Sequence, residues 1–328
     1  MQPANILQKA KKEWFLIGMG CSIALAVATP QIGHSGSPIH LEMITKLGIA
    51  FIFFLHGLSL SPAAIRSGVS NWKLHVCTQS STFLLYPLLW VVTSSLFLGY
   101  MPTALALGFC YLFVLPSTIS SSVALTSVAK GNVPGAIFNA SLSSVLGVFI
   151  TPMFVYLFMG IQGAHMDLEG SIISIAKLLL LPMVAGQLLR PLLVQFTQKH
   201  KSVVNIVDRF VILLIVYNSF CDSMMNGVWS QFSVTLLVFS LLLCAGILVF
   251  ITYVIRKITH LCKFTTEDEI AALFCGTKKT LAAGVPMAQV IFGSDPRLGM
   301  ILLPIILYHP MQIFYCAILA NRYRRRVS

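Results

Sequence analysis

Polar positions in this chain are gathered into short links. Between the links run apolar stretches, each long enough to cross a bilayer, for which about 20 residues suffice. Ten can be bounded: 14–30, 43–61, 73–98, 103–129, 132–158, 171–193, 205–225, 231–256, 268–292 and 297–320. The links carry proline, glycine or charge, and none is long enough for a soluble domain. The pattern predicts an all-α polytopic membrane protein with ten transmembrane helices.

Two segments are interrupted from within. Segment four contains Pro116-Ser117-Thr118-Ile119-Ser120-Ser121-Ser122, with Thr126 beyond. Proline removes one helical hydrogen bond and obstructs another. The hydroxyls can serve the freed backbone, or coordinate an ion together with unwound carbonyls. The simpler alternative is a proline kink whose serines bond back to their own helix. Segment nine contains Gly276-Thr277-Lys278-Lys279-Thr280, followed by Gly284-Val285-Pro286. Counted from Glu267, Lys278 is eleven residues in, about 16 Å at helical rise. That depth is near the midplane of a hydrocarbon core about 30 Å thick. A charge there is costly and by default marks a functional site with a partner. If the lysines instead lay in a loop, the twelve residues from Leu281 to Phe292 would remain. Such a piece could re-enter but not span.

Composition agrees with the pattern. Of 328 residues, 57% are hydrophobic and 10% charged, whereas a soluble domain has about 25% charged. The net charge of +12 is explained by position rather than by nucleic acid. With a cytoplasmic N-terminus, ten spans leave only Lys46, Lys177 and Arg297 outside, and Lys278 and Lys279 within a segment. All other lysines and arginines of the 22 fall on the cytoplasmic side. This is the positive-inside bias, and it predicts an inner-membrane protein with both termini cytoplasmic. There is no basic patch interleaved with aromatics and no glycine-rich phosphate loop. Ala26-Val27-Ala28 after Lys9, Lys11 and Lys12 has the look of a signal-peptidase site. A first membrane helix that stays attached, with Trp14 at the interface, explains the same residues. The eight cysteines show no paired spacing, so neither a disulfide framework nor a metal site is expected.

Ten is twice five, and five helices per half gives halves of opposite topology, the inverted-repeat plan of many secondary transporters. The halves would be 1–160 and 161–328. Thr151-Pro152-Met153 and His309-Pro310-Met311 recur at a separation of 158, which also carries Ser122 onto Thr280. On that plan the two breaks are equivalent. Segment five brings Asn139, Ser141, Ser143 and Ser144 beside them, and segment ten brings Tyr308, His309 and Gln312. In segment seven Asn218, Ser219 and Asp222 share a helical face. Asp222 is the nearest acid to balance a lysine. His56, alone in segment two, reads as a packing group.

Three stretches carry a family resemblance: Pro116 to Ser122 with Lys130-Gly131-Asn132; Phe138-Asn139 with Leu146-Gly147 and Thr151-Pro152; and Gly276 through Met287, ending in Tyr308-His309-Pro310-Met311-Gln312. Over nearly its whole length the chain resembles the bile acid/sodium symporter superfamily (solute carrier family 10). Within it, the chain is most similar to the orphan branch of bacterial transporters grouped with the seventh human member. The resemblance implies a panel domain of helices 1, 2, 6 and 7 and a core domain of helices 3, 4, 5, 8, 9 and 10. It implies that helices 4 and 9 are unwound where they cross. It also implies sodium ions behind the crossing, with Ser121, Ser122, Asn139 and Ser144 on or near one ion position. At the second position the family's carboxylate is absent, and Leu273-Phe274-Cys275-Gly276-Thr277-Lys278-Lys279 stands there instead. Sodium ions beside two ammonium groups would repel by several kcal/mol each in a low-dielectric site. A lysine then either stands in for a sodium ion or binds an anionic substrate.

The expected protein is a secondary active transporter, not an enzyme. It would move a small or amphipathic anionic solute across the lipid bilayer by alternating access. No cofactor is implied beyond a sodium ion. The expected site is Pro116, Ser117, Thr118, Ser120, Ser121, Ser122, Asn139, Ser143, Ser144, Asn218, Asp222, Thr277, Lys278, Lys279, Thr280, His309 and Gln312. Two alternatives stay open. One is a proton-coupled or uncoupled carrier, with Asp222 or His309 as relay. The other is a non-transporting regulator linked to calcium, although intramembrane carboxylates are too scarce for a calcium cage. An intramembrane hydrolase is disfavoured, because the chain has no Gly-x-Ser-x-Gly motif, His-x-x-x-His pair or paired aspartates.

Overall fold

The computed structural model describes residues 14–38, 40–59, 70–160, 168–293 and 295–326, and within these all regular structure is helical. The helices are α1 (Trp14–Ala28), α2 (Pro30–Gly33), α3 (Leu41–Ser59), α4 (Trp72–Ser80), α5 (Tyr86–Tyr100), α6 (Thr103–Val114) and α7 (Ser120–Val128). They continue with α8 (Val133–Gly160), α9 (Leu168–Lys199), α10 (Lys201–Met225), α11 (Val234–Leu261), α12 (Thr266–Gly276), α13 (Leu281–Phe292) and α14 (Leu298–Arg326). A π turn, Ser81–Leu85, joins α4 to α5. Among the described residues, six stretches are long and apolar enough to cross a membrane: Trp72–Tyr100, Val133–Phe158, Lys177–Lys199, Ser202–Met225, Val234–Leu261 and Leu298–Arg326. The chain is a polytopic integral membrane protein.

Local chemistry sets the helix starts. Thr265 accepts from the Asp268 amide at 3.2 Å, and Glu267, Asp268 and Glu269 fill the first turn of α12. Both features answer the exposed N–H groups and positive end of the helix dipole. Thr280 caps α13 in the same way, through Ala283 N at 3.3 Å.

Helix α3 packs along α9, and α1 and α2 pack on α10. Gly57 of α3 lies against the Met183 carbonyl and Gly186 of α9 against the Phe54 carbonyl, so neither position leaves room for a Cβ. Small residues of this kind let two membrane helices approach closely. The stretch 14–28 is helical and packs against α10. Large apolar side chains on α5, α9 and α11, such as Val92, Leu192 and Leu242, stay exposed on the outside.

Helices α6 and α12 are different. Every residue from Ala104 to Val114 is buried, and so is every residue from Glu269 to Gly276. A helix buried all round sits in the interior of the bundle. Here α6 lies beside α5, α8 and α14, and α12 beside α4, α7, α8 and α11. Both of these interior helices end at an interruption.

Candidate functional site

The helical backbone is interrupted between Val114 and Ser120 and again between Gly276 and Leu281. The two interruptions touch. The Thr280 amide donates to the Pro116 carbonyl at 2.9 Å. Ser117 Oγ donates to the Cys275 carbonyl at 2.6 Å, and Ser122 Oγ to the Phe274 carbonyl at 2.9 Å. Gly147 of α8 lets this crossing sit close, since a Cβ there would lie 2.6 Å from Pro116 Cβ.

Buried backbone groups need partners, and the first break can be followed carbonyl by carbonyl. The carbonyl of Val114 accepts from Thr151 Oγ1 at 2.7 Å. Those of Phe113 and Leu115 accept from Lys279 Nζ at 2.9 and 2.7 Å. The Ser117 amide donates to Ser143 Oγ at 2.9 Å. Lys279 makes a third bond, to the Thr82 carbonyl at 3.1 Å. That carbonyl lies in the π turn, where the residue five on is Pro87, which has no N–H. The ammonium also lies 3.9 Å from the Tyr86 ring centroid, a cation–π contact. Lys279 is fully buried, and each of its three N–H groups has an acceptor.

The second break is closed by side chains of α14 and α5. The Gln312 amide acts as a surrogate peptide for Lys279, accepting from its N–H at 2.8 Å and donating to its carbonyl at 2.8 Å. Gln312 Nε2 also lies 3.0 Å from His309 Nδ1. The Thr277 carbonyl accepts from Tyr86 Oη at 2.7 Å and Tyr308 Oη at 3.0 Å, and the two phenols are 2.8 Å apart.

Lys278 is equally buried, yet its ammonium has no hydrogen-bond partner among the described residues. Its Nζ lies 5.8 Å from the Phe274 ring centroid. Adjacent residues of an unwound segment point in different directions, so one lysine enters the carbonyl cluster and the other is left out of it.

The model of the SBF-like CPA transporter family matches residues 13–325. The chain belongs to that family. It is 39% identical over 295 residues to YfeH of Escherichia coli, named as a symporter, covering 88% of this chain and 86% of that one. It is 38% identical over 312 residues to an uncharacterized protein of Pseudomonas aeruginosa, covering 95% and 93%. It is 31% identical over 323 residues to sodium/bile acid cotransporter 7 of Xenopus tropicalis, covering 96% and 92%.

In this SBF-like protein the predicted residues separate into groups. Pro116, Ser117, Thr118, Ser121, Ser122, Ser143, Thr277, Lys278, Lys279, Thr280, His309 and Gln312 gather at the crossing. Thr118 Oγ1 contacts Ser121 Oγ at 2.6 Å and Ser122 Oγ at 3.2 Å. Ser120 is exposed and stands apart. Asn139 turns toward α4, taking Gln79 Nε2 on its side-chain oxygen at 3.2 Å and placing its amide 3.0 Å from His75 Nδ1. Ser144 bonds back to the Ala140 carbonyl at 3.0 Å. It lines a small cavity of about 20 Å³ with His56, Ile119, Met183, Ala283 and Met287. His56, read from sequence as packing, thus borders a space between α3 and α9 on one side and α8 and α13 on the other.

Asp222 does not balance a lysine. Its carboxylate accepts from the Ser35 amide at 2.7 Å and from Ser35 Oγ at 2.6 Å, so the turn after α2 uses it. Asn218 likewise donates to the Gly33 carbonyl at 2.7 Å. The counter-groups at Lys279 are carbonyl dipoles, and the hydrogen bonds described at the two breaks involve no carboxylate. Three participants have no assigned place in the sequence reading, Thr82, Tyr86 and Thr151, while Tyr308 is placed there beside the breaks but left out of the expected site. Pro87, which follows a tyrosine in an apolar segment, was the one available signal for Thr82 and Tyr86. Thr151 is marked only as part of the recurring Thr151-Pro152-Met153 stretch, with no role assigned to its hydroxyl, which reaches across from α8.

Proposed function

We propose that this protein is an alternating-access secondary transporter for a small or amphipathic organic anion, with Lys278 as the ammonium that receives it. The carrying observation is that the Lys278 ammonium is buried at the crossing without a hydrogen-bond partner among the described residues. An isolated buried charge is unstable by several kcal/mol unless something compensates it. An anionic solute supplies that compensation. The names of the relatives support transport, as symporter and sodium/bile acid cotransporter.

The reading includes ten spans in two inverted five-helix repeats. Support comes from the succession of helices. A long span with Trp72–Tyr100, then the broken pair α6 and α7, then long α8, recurs as long α11, the broken pair α12 and α13, then long α14. The panel would be α1, α3, α9 and α10, and the core the remaining long and broken helices. The solute path would run between them, past His56, Ser144 and Met287. At about 20 Å³ that space admits roughly one water molecule, so it is closed as it stands. Opening would need α3 and α9 to move away from α8 and α13. The basic side, carrying Lys73, Lys130 and the arginines that end α14, would face the cytoplasm.

Lys279 donates to the carbonyls at the break as a tethered cation, and a sodium ion beside it would be repelled. Coupling is therefore assigned to protons, or to the solute gradient alone, with His309 as the relay. Sodium near Ser121, Ser122, Asn139 and Ser144 is the competing assignment. Reconstitution into proteoliposomes tests both parts. Lys278→Ala is expected to fold normally and to lose uptake of the anionic solute. Full uptake by that variant would overturn the assignment of Lys278. Uptake driven by a sodium gradient, but not by a pH gradient, would overturn the assignment of coupling.

A further inference from the structure

A groove of about 510 Å³ runs along the outside of α4, the π turn and α5, away from the crossing. Its first wall repeats at Trp72, Val76, Ser80, Leu84 and Leu88, one face of a helix. Its second wall is Ile258 of α11, with Cys262 and Phe264 beyond the helix end. From Trp72 to Leu88 the wall is about 24 Å long at helical rise. That is most of the depth of a hydrocarbon core about 30 Å thick. Trp72, Val76, Leu84 and Leu88 are between 50% and 64% exposed, so the groove opens to the bilayer. Its volume is far above the roughly 30 Å³ share of one water molecule, and its lining is apolar along most of its length.

The charges lie at one end. Lys73 lines the mouth where α4 begins and α11 finishes, and no carboxylate lines the groove. Lys257 in the last turns of α11 and Lys263 just beyond it lie at the same end, where Asp268 is held by Asn71 at 2.7 Å. Apolar length with a cationic mouth fits a molecule with one long hydrocarbon chain and an anionic head.

We propose that the groove binds an anionic glycerophospholipid of the surrounding bilayer. One acyl chain lies between Val76 and Ile258 down to Leu88, and the phosphate meets Lys73. The site borders the π turn and does not depend on the transport reading. Ser80 and Ser81 form part of its lining. A Cβ added at Gly276 would lie 3.1 Å from Ser81 Cβ, and the next residue, Thr82, holds Lys279. A bound chain therefore braces the π turn that keeps one of the three carbonyls at the ammonium.

The test uses the full chain in nanodiscs of mixed phosphatidylcholine and phosphatidylglycerol, read by native mass spectrometry. The wild type is expected to retain phosphatidylglycerol in preference to phosphatidylcholine. Val76→Trp fills the groove from an exposed position and should abolish retention. Lys73→Ala should lower it about fivefold, the worth of one lysine at an anionic surface. Leu96→Trp, exposed on α5 outside the groove, should leave it unchanged. Equal retention of the two lipids by the wild type, or unchanged retention by Val76→Trp, would overturn the proposal. If Val76→Trp does not fold, a photoreactive acyl phosphatidylglycerol decides on the wild type. Labelling at Leu88 or Ile258 supports the site, and labelling only elsewhere overturns it.

Discussion

Lys278 and Lys279 are neighbours in the chain and opposites in setting. Both side chains are fully buried. Lys279 has three carbonyl acceptors and an aromatic ring under its ammonium. Lys278 has no hydrogen-bond partner among the described residues. One lysine completes the structure of a broken helix, and the other makes no hydrogen bond to the described residues. The difference teaches that a buried cation is not by itself a binding site. What matters is whether the protein has already satisfied it.

The comparison can be broken most directly by removing each ammonium. Lys279→Met leaves three buried carbonyls without a donor, and an unsatisfied buried acceptor costs roughly 1–3 kcal/mol. A loss of about 3 kcal/mol or more is expected, seen as a large fall in melting temperature or a failure to fold in detergent. Lys278→Met removes an unpartnered charge and should melt at or above the wild type while losing transport. Equal melting of the two variants would erase the distinction.

A smaller effect sharpens it. Gln312→Leu deletes both side-chain bonds to the Lys279 backbone and should destabilise by about 2 kcal/mol, at roughly 1 kcal/mol per bond. The same loss in a Lys279→Met background would show that the two residues do not act as one unit. Thr151→Val leaves the Val114 carbonyl without its donor and should cost about 1 kcal/mol in the same melt.

The smallest effect is a control outside the spans. Asp295 and Arg297 are paired at 2.7 Å near the start of α14. Partial burial raises the Asp295 carboxyl, but hydrogen bonds and charge from Arg297 outweigh it and hold it below the usual range. A depressed carboxylate contributes stability above its unfolded value, about 3.9. That contribution is lost as pH falls through the lower folded value. Because Arg297 is 45% exposed, solvent screening limits the pair to under about 1 kcal/mol. Asp295→Asn should barely move the melt at neutral pH and should flatten its decline in acid.

Much of the site was legible before the fold. Pro116 with its hydroxyls, and Gly276 with the lysines, announce interrupted helices, because proline and glycine act on the backbone locally. The burial of Lys278 agrees with its place inside an apolar segment. The division of labour between the lysines was not legible, since it depends on which way each side chain leaves an unwound segment. Thr82 and Tyr86 escaped notice because a π turn is a shift of register, with little compositional mark. Asp222 misled for the converse reason: scarcity made it the nearest acid in sequence, while Ser35 had already claimed its oxygens.

By itself the sequence determined that this is a membrane protein, where its apolar segments begin and end, and that two of them are interrupted in their middle. Those properties follow from hydrophobic length and from backbone chemistry, which act within a few residues. Tertiary structure decided that the two interruptions meet, that Lys279 is spent on the freed carbonyls of helices far from it in sequence, and that Lys278 is not. Hydrogen bonds in a buried interior are satisfied by whatever donor the packing brings within 3 Å or so, and no local pattern records that choice.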